Sequence, residues 1–349
     1  MLINEQNIDK TLKTKATYLK RAKDLIEKAY KEASDKGASF KKLTESTVIY
    51  HDVIKQAFVG MTLLNTAIWF KKFWGTNLRP STVRQYRASL KYFVEREHAN
   101  KKVNDDYMKK IFDVLDTIQA GDKKTLPPKT SSAKQKHLKD EKLFAIIEDL
   151  KTNKSKWSKM TIAWLRAAVL TGLRPIEWTM TEYDERNDCL IVKNAKNTNN
   201  RAHGENRTIY LTHLDETLKK NIITHLQIAK YHSNNNLWED YYQGCSALLQ
   251  RRCKVLFPKA KKNISLYSAR HQYSANLKAS GLKCNEIAAL MGHATDETAM
   301  ETYGKKQYGS KGLQPNKISK EEVSKVKVKY KVHTFTIKPE QNSPKSPKA

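Results

Sequence analysis

Cysteine is scarce in this 349-residue chain, with only Cys189, Cys245, Cys253 and Cys284. None forms a CxxC pair, and the density is too low for a secreted disulfide scaffold, so reduced, partly buried thiols are expected. Cys245 and Cys253 flank SALLQRR, and His232 or His271 would complete a metal site on paper. That spacing matches no zinc pattern, and no metal is expected. No apolar run is long enough to span a bilayer, and no terminus is both basic and amphipathic, which argues against a membrane partner. The residues after Met1, LINEQNIDK, are polar, so no signal peptide is expected and the chain should stay in the cytoplasm. Internal repeats are absent. Acidic residues are also in short supply, 36 against 65 Lys and Arg.

That imbalance leaves a net charge of +29. Self-repulsion on this scale calls for a polyanionic partner, because protein cations displace the counterions condensed on phosphates. The length fits two domains and a tail.

Residues 1–120 read as a helical domain. KATYLKRAKDLIEKAYKEA repeats Tyr18, Ala22, Leu25, Ile26 and Tyr30 at helical spacing, and TVIYHDVIKQAFVGMTLLNTAIWFKKFW is apolar enough for bundle core. RPSTVRQYRASLKYFVEREH starts at Pro80 and Ser81 and repeats Val83, Tyr86, Leu90 and Phe93. Arg84, Arg87 and Lys91 gather on its other side. One such helix is a solvated basic face; several together form a surface for phosphates. Residues 121–136, GDKKTLPPKTSSAKQK, read as an exposed linker.

Residues 137–310 form the second domain. HLKDEKLFAIIEDLKTN is an amphipathic helix, and SKMTIAWLRAAVLTG a buried one closed by Gly172. Two apolar runs, Leu190 to Val192 and Ile209 to Leu211, flank an Asn-rich stretch and predict a β-hairpin with a long turn. Further helices precede Ser265 to Lys306, which reads as three short consecutive helices. Residues 311–349 are a basic tail. Within it Val326, Val328, Tyr330 and Val332 alternate with lysines, which predicts a strand over 325–337. The fold class is mainly α with a small β-hairpin sheet, arranged as a two-domain clamp.

Cleaving a phosphodiester without a metal needs fixed cations around the phosphate, an in-line nucleophile and an acid for the leaving oxygen. Guanidinium suits the first task, because it stays charged and its forked donors match two phosphate oxygens. A tyrosine phenol suits the second and yields an ester that conserves the bond energy for rejoining.

Four words in the chain carry these groups: Arg174 in TGLRPIEW, Arg270 in LYSARH, His293 in LMGH and Tyr303 in ETYG. In order, separation and local sequence they resemble the catalytic set of the tyrosine recombinases, the integrase family. The first box of that family reads T-G-x-R-x-x-E, matched here by Thr171, Gly172, Arg174 and Glu177. The resemblance covers residues 137–310 in motif and the N-terminal half in helical character only.

The resemblance implies a catalytic domain that follows a helical core-binding domain. Arg174 and Arg270 would grip the scissile phosphate, His293 would hydrogen-bond it, and Tyr303 would attack. A hairpin lysine would protonate the leaving 5′ oxygen; Lys196 is preferred over Lys193. Glu177 would orient the arginines. Arg84, Arg87, Lys91 and Arg207 would contact DNA. It also implies double-stranded DNA carrying recombination sites, a homo-tetramer, a Holliday junction and no cofactor. Accessory bending or directionality factors would assist, and the segment after Tyr303 would pack on a neighbouring subunit. The cytoplasmic protein would then be associated with the nucleoid.

One position departs from the family. Three residues before Arg270, where the family has His or Lys, stands Tyr267; it shares a helical face with Arg270 and either lines the site or packs the core. Taken singly, each residue has a bland reading: surface arginines, a helix-capping His293, a packing Tyr303 and a turn lysine. Tyr308 is a rival nucleophile at poorer spacing. Two other functions fit the same residues, a type IB topoisomerase-like relaxing enzyme and a DNA-binding architectural protein with a decayed site.

Overall fold

The computed structural model describes residues 12–35, 62–122, 126, 134–197, 202–310 and 312–329, and the chain divides into two compact units, Met1–Pro128 and Lys129–Ala349. Among the described residues no helix is long and apolar enough to cross a membrane.

The first unit is helical. Helix α1 (Leu12–Asp35) places Ala22, Leu25 and Ala29 on one face, three and four residues apart. They share a core with Val83, Leu90 and Val94 of α3 (Pro80–Ala99). Between these helices lie α2 (residues 62–69) and the π-helical turn Phe70–Trp74, whose Phe70 and Trp74 also enter that core. The carboxylate of Glu32 accepts hydrogen bonds from the indoles of Trp69, at 3.2 Å, and Trp74, at 2.8 Å. Pro80 starts α3 with its φ already helical. Helix α4 (Asp105–Asp116) starts at Asn104, whose side chain accepts from the Tyr107 amide at 2.9 Å. Asp105 and Asp106 follow in the first turn, where the helix dipole favours negative charge.

The basic face expected on α3 is divided. Arg87 donates to the Ile118 carbonyl at 2.7 Å, and Lys91 lies 2.8 Å from Asp116 and 4.7 Å over the Phe112 ring. Of the three, Arg84 is the exposed one.

The second unit packs helices around a three-stranded antiparallel sheet of order β1-β2-β3. The expected hairpin is β2 (Cys189–Lys193) and β3 (Asn206–Tyr210), in register Leu190 to Ile209 and Val192 to Arg207. A strand the periodicity did not reveal, β1 (Thr181–Asp184), pairs with β2. Leu190, Val192 and Ile209 project into a core with Trp164 and Leu165 of α6 (Ser158–Thr171), Ile146 and Leu150 of α5 (Asp140–Thr152), and Ile222 and Leu226 of α7 (Glu216–Asn234). Helix α8 (Trp238–Leu256) adds Tyr241, Leu248 and Leu249, with Cys245 and Cys253 buried as free thiols. The three short helices near the end are α9 (Leu266–Ala279), α10 (Cys284–Leu290) and α11 (Asp296–Thr302).

Two boundary expectations change. Gly121 is tied to the first unit by its amide on the Leu78 carbonyl at 2.9 Å, and the Leu126 carbonyl accepts from Arg79 at 3.1 Å. Gln135 is buried in the second unit, its amide on the Asn263 carbonyl and its own carbonyl accepting from Ser268. Both ends of the 121–136 stretch are thus anchored by backbone groups that the composition could not assign; residues 127–133 lie outside the described residues.

The tail differs too. Where a strand was expected from residue 325, helix α12 (Lys320–Ser324) ends at Lys325. Val326 is buried, Lys327 makes one bridge to Thr295, and Val328 is exposed, so the apolar alternation is not used as a strand face. Residues 330–337 of that prediction lie outside the described residues. The described tail residues bond within their own unit. Asn316 donates to the Tyr210 carbonyl at 3.0 Å, Glu322 accepts from the Thr208 amide at 2.7 Å, and the Lys329 amide donates to Asp296 at 2.9 Å. The free backbone edge of β3 supplies two of these partners within the same unit.

Candidate active site

Three of the four motif residues, Arg174, His293 and Tyr303, stand where an element starts or stops, and Arg270 lies within a helix. Gly172 terminates α6 in the left-handed region, φ 64°, a conformation that favours glycine, and the chain turns so that Arg174 begins a 3-10 turn, Pro175–Met180. Arg270 lies on α9, one turn in from the Ser265 cap. Helix α10 closes with a paired motif: the Gly292 amide donates to the Ala289 carbonyl and the His293 amide to the Ala288 carbonyl, with Gly292 at φ 66°. His293 is therefore both a helix-terminating residue and one aimed inward. Tyr303 is the residue at which α11 stops.

Arg174 and Arg270 converge, with Arg207, on Glu177, which is fully buried. Its carboxylate lies 2.5 Å from Arg174 Nη1, 2.8 Å from Arg207 Nη2 and 3.8 Å from Arg270 Nη1. It also accepts from the Arg174 amide at 2.8 Å and the Ala195 amide at 3.3 Å, which ties the hairpin loop to the cluster. Burial pushes this acid up, but the charges of Arg207, Arg174 and Arg270 outweigh it and hold the carboxyl far below the usual range. Three guanidiniums face one carboxylate, so the pocket keeps an excess of positive charge.

Arg270 is fixed by backbone. Nη1 donates to the Gly172 carbonyl, Nη2 to the Met291 carbonyl at 2.6 Å, and Nη2 lies 3.2 Å from His293 Nε2. A guanidinium only donates, so Nε2 accepts and the His293 proton resides on Nδ1. Burial, then the charges of Arg270, Arg174 and Arg207, drive the His293 pKa well down, and the ring is neutral. His293 Nδ1 and Arg174 Nε are buried donors with no acceptor among the described residues. Buried donors are rarely left so.

Tyr303 is buried, its hydroxyl 2.9 Å from the Tyr267 hydroxyl and 3.4 Å from Arg270 Nε. The Arg270 guanidinium lies 5.1 Å from the Tyr303 ring centroid, and the His293 ring lies 4.9 Å away. Burial disfavours the phenolate, yet the Arg270 and Arg174 charges and the two hydrogen bonds lower the Tyr303 pKa below that of an ordinary phenol. Burial and the neighbouring Tyr303 raise that of Tyr267. His271, which helical geometry turns away from Arg270, packs its ring 5.0 Å from that of Tyr303.

The rival, Tyr308, stacks on His137 at 4.2 Å. Lys196 is exposed in the loop after β2, without an ion-pair partner among the described residues, whereas Lys193 lies 3.5 Å from Glu205. Arg207 corrects the sequence reading. It is buried rather than available for DNA contact, donating to Glu177, to the Leu290 carbonyl at 3.0 Å and to Asn194. Its place on β3 was legible, since Arg207, Ile209 and Leu211 alternate onto one face. Asn194 was missed as well; it bridges Arg207 to the Gly204 carbonyl and has no periodic signal.

No family model matches this sequence, and no curated protein does. Solved structures with a similar course of chain include a lambda integrase dimer bound to a COC' core site, at 12% identity and TM-score 0.44, covering 90% of this chain and 94% of that one. A Tn1549 transposon integrase in complex with transposon right end DNA is 14% identical at TM-score 0.40, over 80% of this chain and 94% of the other. The XerA recombinase is 15% identical at TM-score 0.34, over 79% and 91%. It is integrases and recombinases that this chain is similar to.

Proposed function

We propose that the protein is a site-specific DNA recombinase of the integrase type, a tyrosine recombinase that breaks and rejoins strands through a 3′-phosphotyrosine link. The Tyr303 oxygen attacks the scissile phosphorus, the bond to the 5′ oxygen breaks, and Lys196 gives that oxygen a proton. A 5′-hydroxyl from the partner duplex then attacks the phosphotyrosine and releases Tyr303. Two such exchanges pass through a Holliday junction and insert or remove a mobile element. Arg174 and the Nδ1–H of His293 hold the phosphate oxygens, while Arg270 sets the local field and Tyr267 hydrogen-bonds the nucleophile. Fixed guanidiniums supply the charge that a metal supplies elsewhere, so the scheme calls for neither metal nor nucleotide. The active assembly is a homo-tetramer on two recombination sites, assisted by DNA-bending or directionality factors.

One observation carries this reading: the Tyr303 hydroxyl lies between Tyr267 and Arg270, with its acidity raised, in a cluster whose Arg174 and His293 donors have no acceptor among the described residues. The test is covalent trapping on a suicide duplex carrying a site recovered by binding selection, in EDTA. Wild type and Tyr308→Phe are expected to form the adduct and Tyr303→Phe to form none. Tight, salt-sensitive binding with no wild-type adduct would instead favour an architectural DNA-binding protein.

A further inference from the structure

One buried cation is unused by this mechanism. Lys278, on the last turn of α9, is 9% exposed, and its ammonium donates to the Gly304 carbonyl at 2.8 Å and the Met300 carbonyl at 3.4 Å. No carboxylate pairs with it among the described residues, and burial lowers its pKa to about 8. An unpaired buried charge is costly, and an apolar side chain would fill the same space at less expense. The two carbonyls it holds flank Tyr303 on either side. Among the described residues no backbone amide caps the end of α11 at Tyr303, so the lysine satisfies a carbonyl that the helix leaves open and places its charge at the negative end of the dipole. Gly304 lies so close to α9 that a Cβ there would meet the His271 carbonyl, which keeps the grip short.

We propose that Lys278 is a positioning residue for the nucleophile: its ammonium clamps the backbone on both sides of Tyr303 to α9, the helix that carries Arg270. The clamp fixes how far the phenol reaches toward the phosphate. It leaves the phosphate site itself, built on Glu177, untouched. The inference rests on the recombinase reading above.

Two reactions separate the roles. Adduct formation on the suicide duplex needs Tyr303. Joining does not: a strand ending in a 3′-p-nitrophenyl phosphate is attacked by a 5′-hydroxyl, the new phosphodiester forms and p-nitrophenolate leaves. Misplacing a nucleophile by about an ångström costs on the order of 100-fold, so Lys278→Met should lower single-turnover adduct formation by about that factor. Its joining rate and its DNA affinity should stay within about twofold of wild type. Lys278→Gln, which retains N–H donors without the charge, should fall between, and it serves if the methionine variant does not fold. Loss of both reactions in the soluble variant, or of neither, overturns the clamp. Joining that proceeds normally in Tyr303→Phe, together with a wild-type adduct, upholds the underlying reading whatever Lys278 does; a wild type that performs neither reaction overturns both.

Discussion

Tyr303 and Tyr267 share one hydrogen bond, yet their acidities move in opposite directions. Tyr303 lies closer to Arg270 in the field of the guanidiniums, so it is the phenol that ionises, and Tyr267 remains its donor. A tyrosine at this position cannot take a proton near neutral pH, but it can stabilise the phenolate next to it. Adduct formation should therefore climb with pH as Tyr303 ionises, below the ordinary phenol value of about 10. Removing the donor with Tyr267→Phe should raise the Tyr303 pKa and move that climb to higher pH. The variant should be slow near neutrality and approach wild type in alkali, as read from single-turnover rates across pH. A uniform loss at every pH would assign Tyr267 to packing instead. At this scale the sequence named Arg174, Arg270, His293 and Tyr303, because each stands in a short recognisable word. It misplaced Arg207, whose cation suggests a surface although its strand position dictates the interior.

Helix ends, rather than helices, build the site. Gly172, Gly292 and Tyr303 each mark where an element stops, and the side chains next to those stops face Glu177 or Arg270. Gly292 is the one that abuts the guanidinium cluster. Its φ is positive, and a Cβ there would collide with Asn194 and come within 2.6 Å of Arg207 Nη1. The left-handed conformation alone costs a non-glycine residue about 1–2 kcal/mol, so Gly292→Ala should destabilise the protein by at least that much in urea unfolding. The collision should also displace His293 and reduce adduct formation. Elements with a full apolar period were legible, among them α3, α6 and the β2–β3 hairpin. Strand β1 was not, because TEYD is four residues long and offers no alternation to count. Of the alternating tail, the described Val326, Lys327 and Val328 form no strand: Lys327 makes a single bridge to Thr295, and the Lys329 amide bonds Asp296.

For the whole molecule, charge is the governing quantity. With +29 overall, DNA affinity should fall on the order of 1000-fold or more between about 50 and 200 mM salt, as phosphate contacts release counterions. A shallow dependence in a filter or anisotropy titration would show that the excess charge does not face phosphate. The sequence by itself determined the mainly helical class with its small sheet, the net charge on which a polyanionic partner is proposed, and the four motif words. These depend on periodicity, composition and short-range words, all of which are local. The tertiary structure alone decided that Glu177 gathers three guanidiniums, that Arg207 is buried and that the described tail folds back on β3. It also decided that Lys278 spans Tyr303. Each of these joins residues far apart in the chain, and their meeting follows from which faces pack together, which no local pattern encodes.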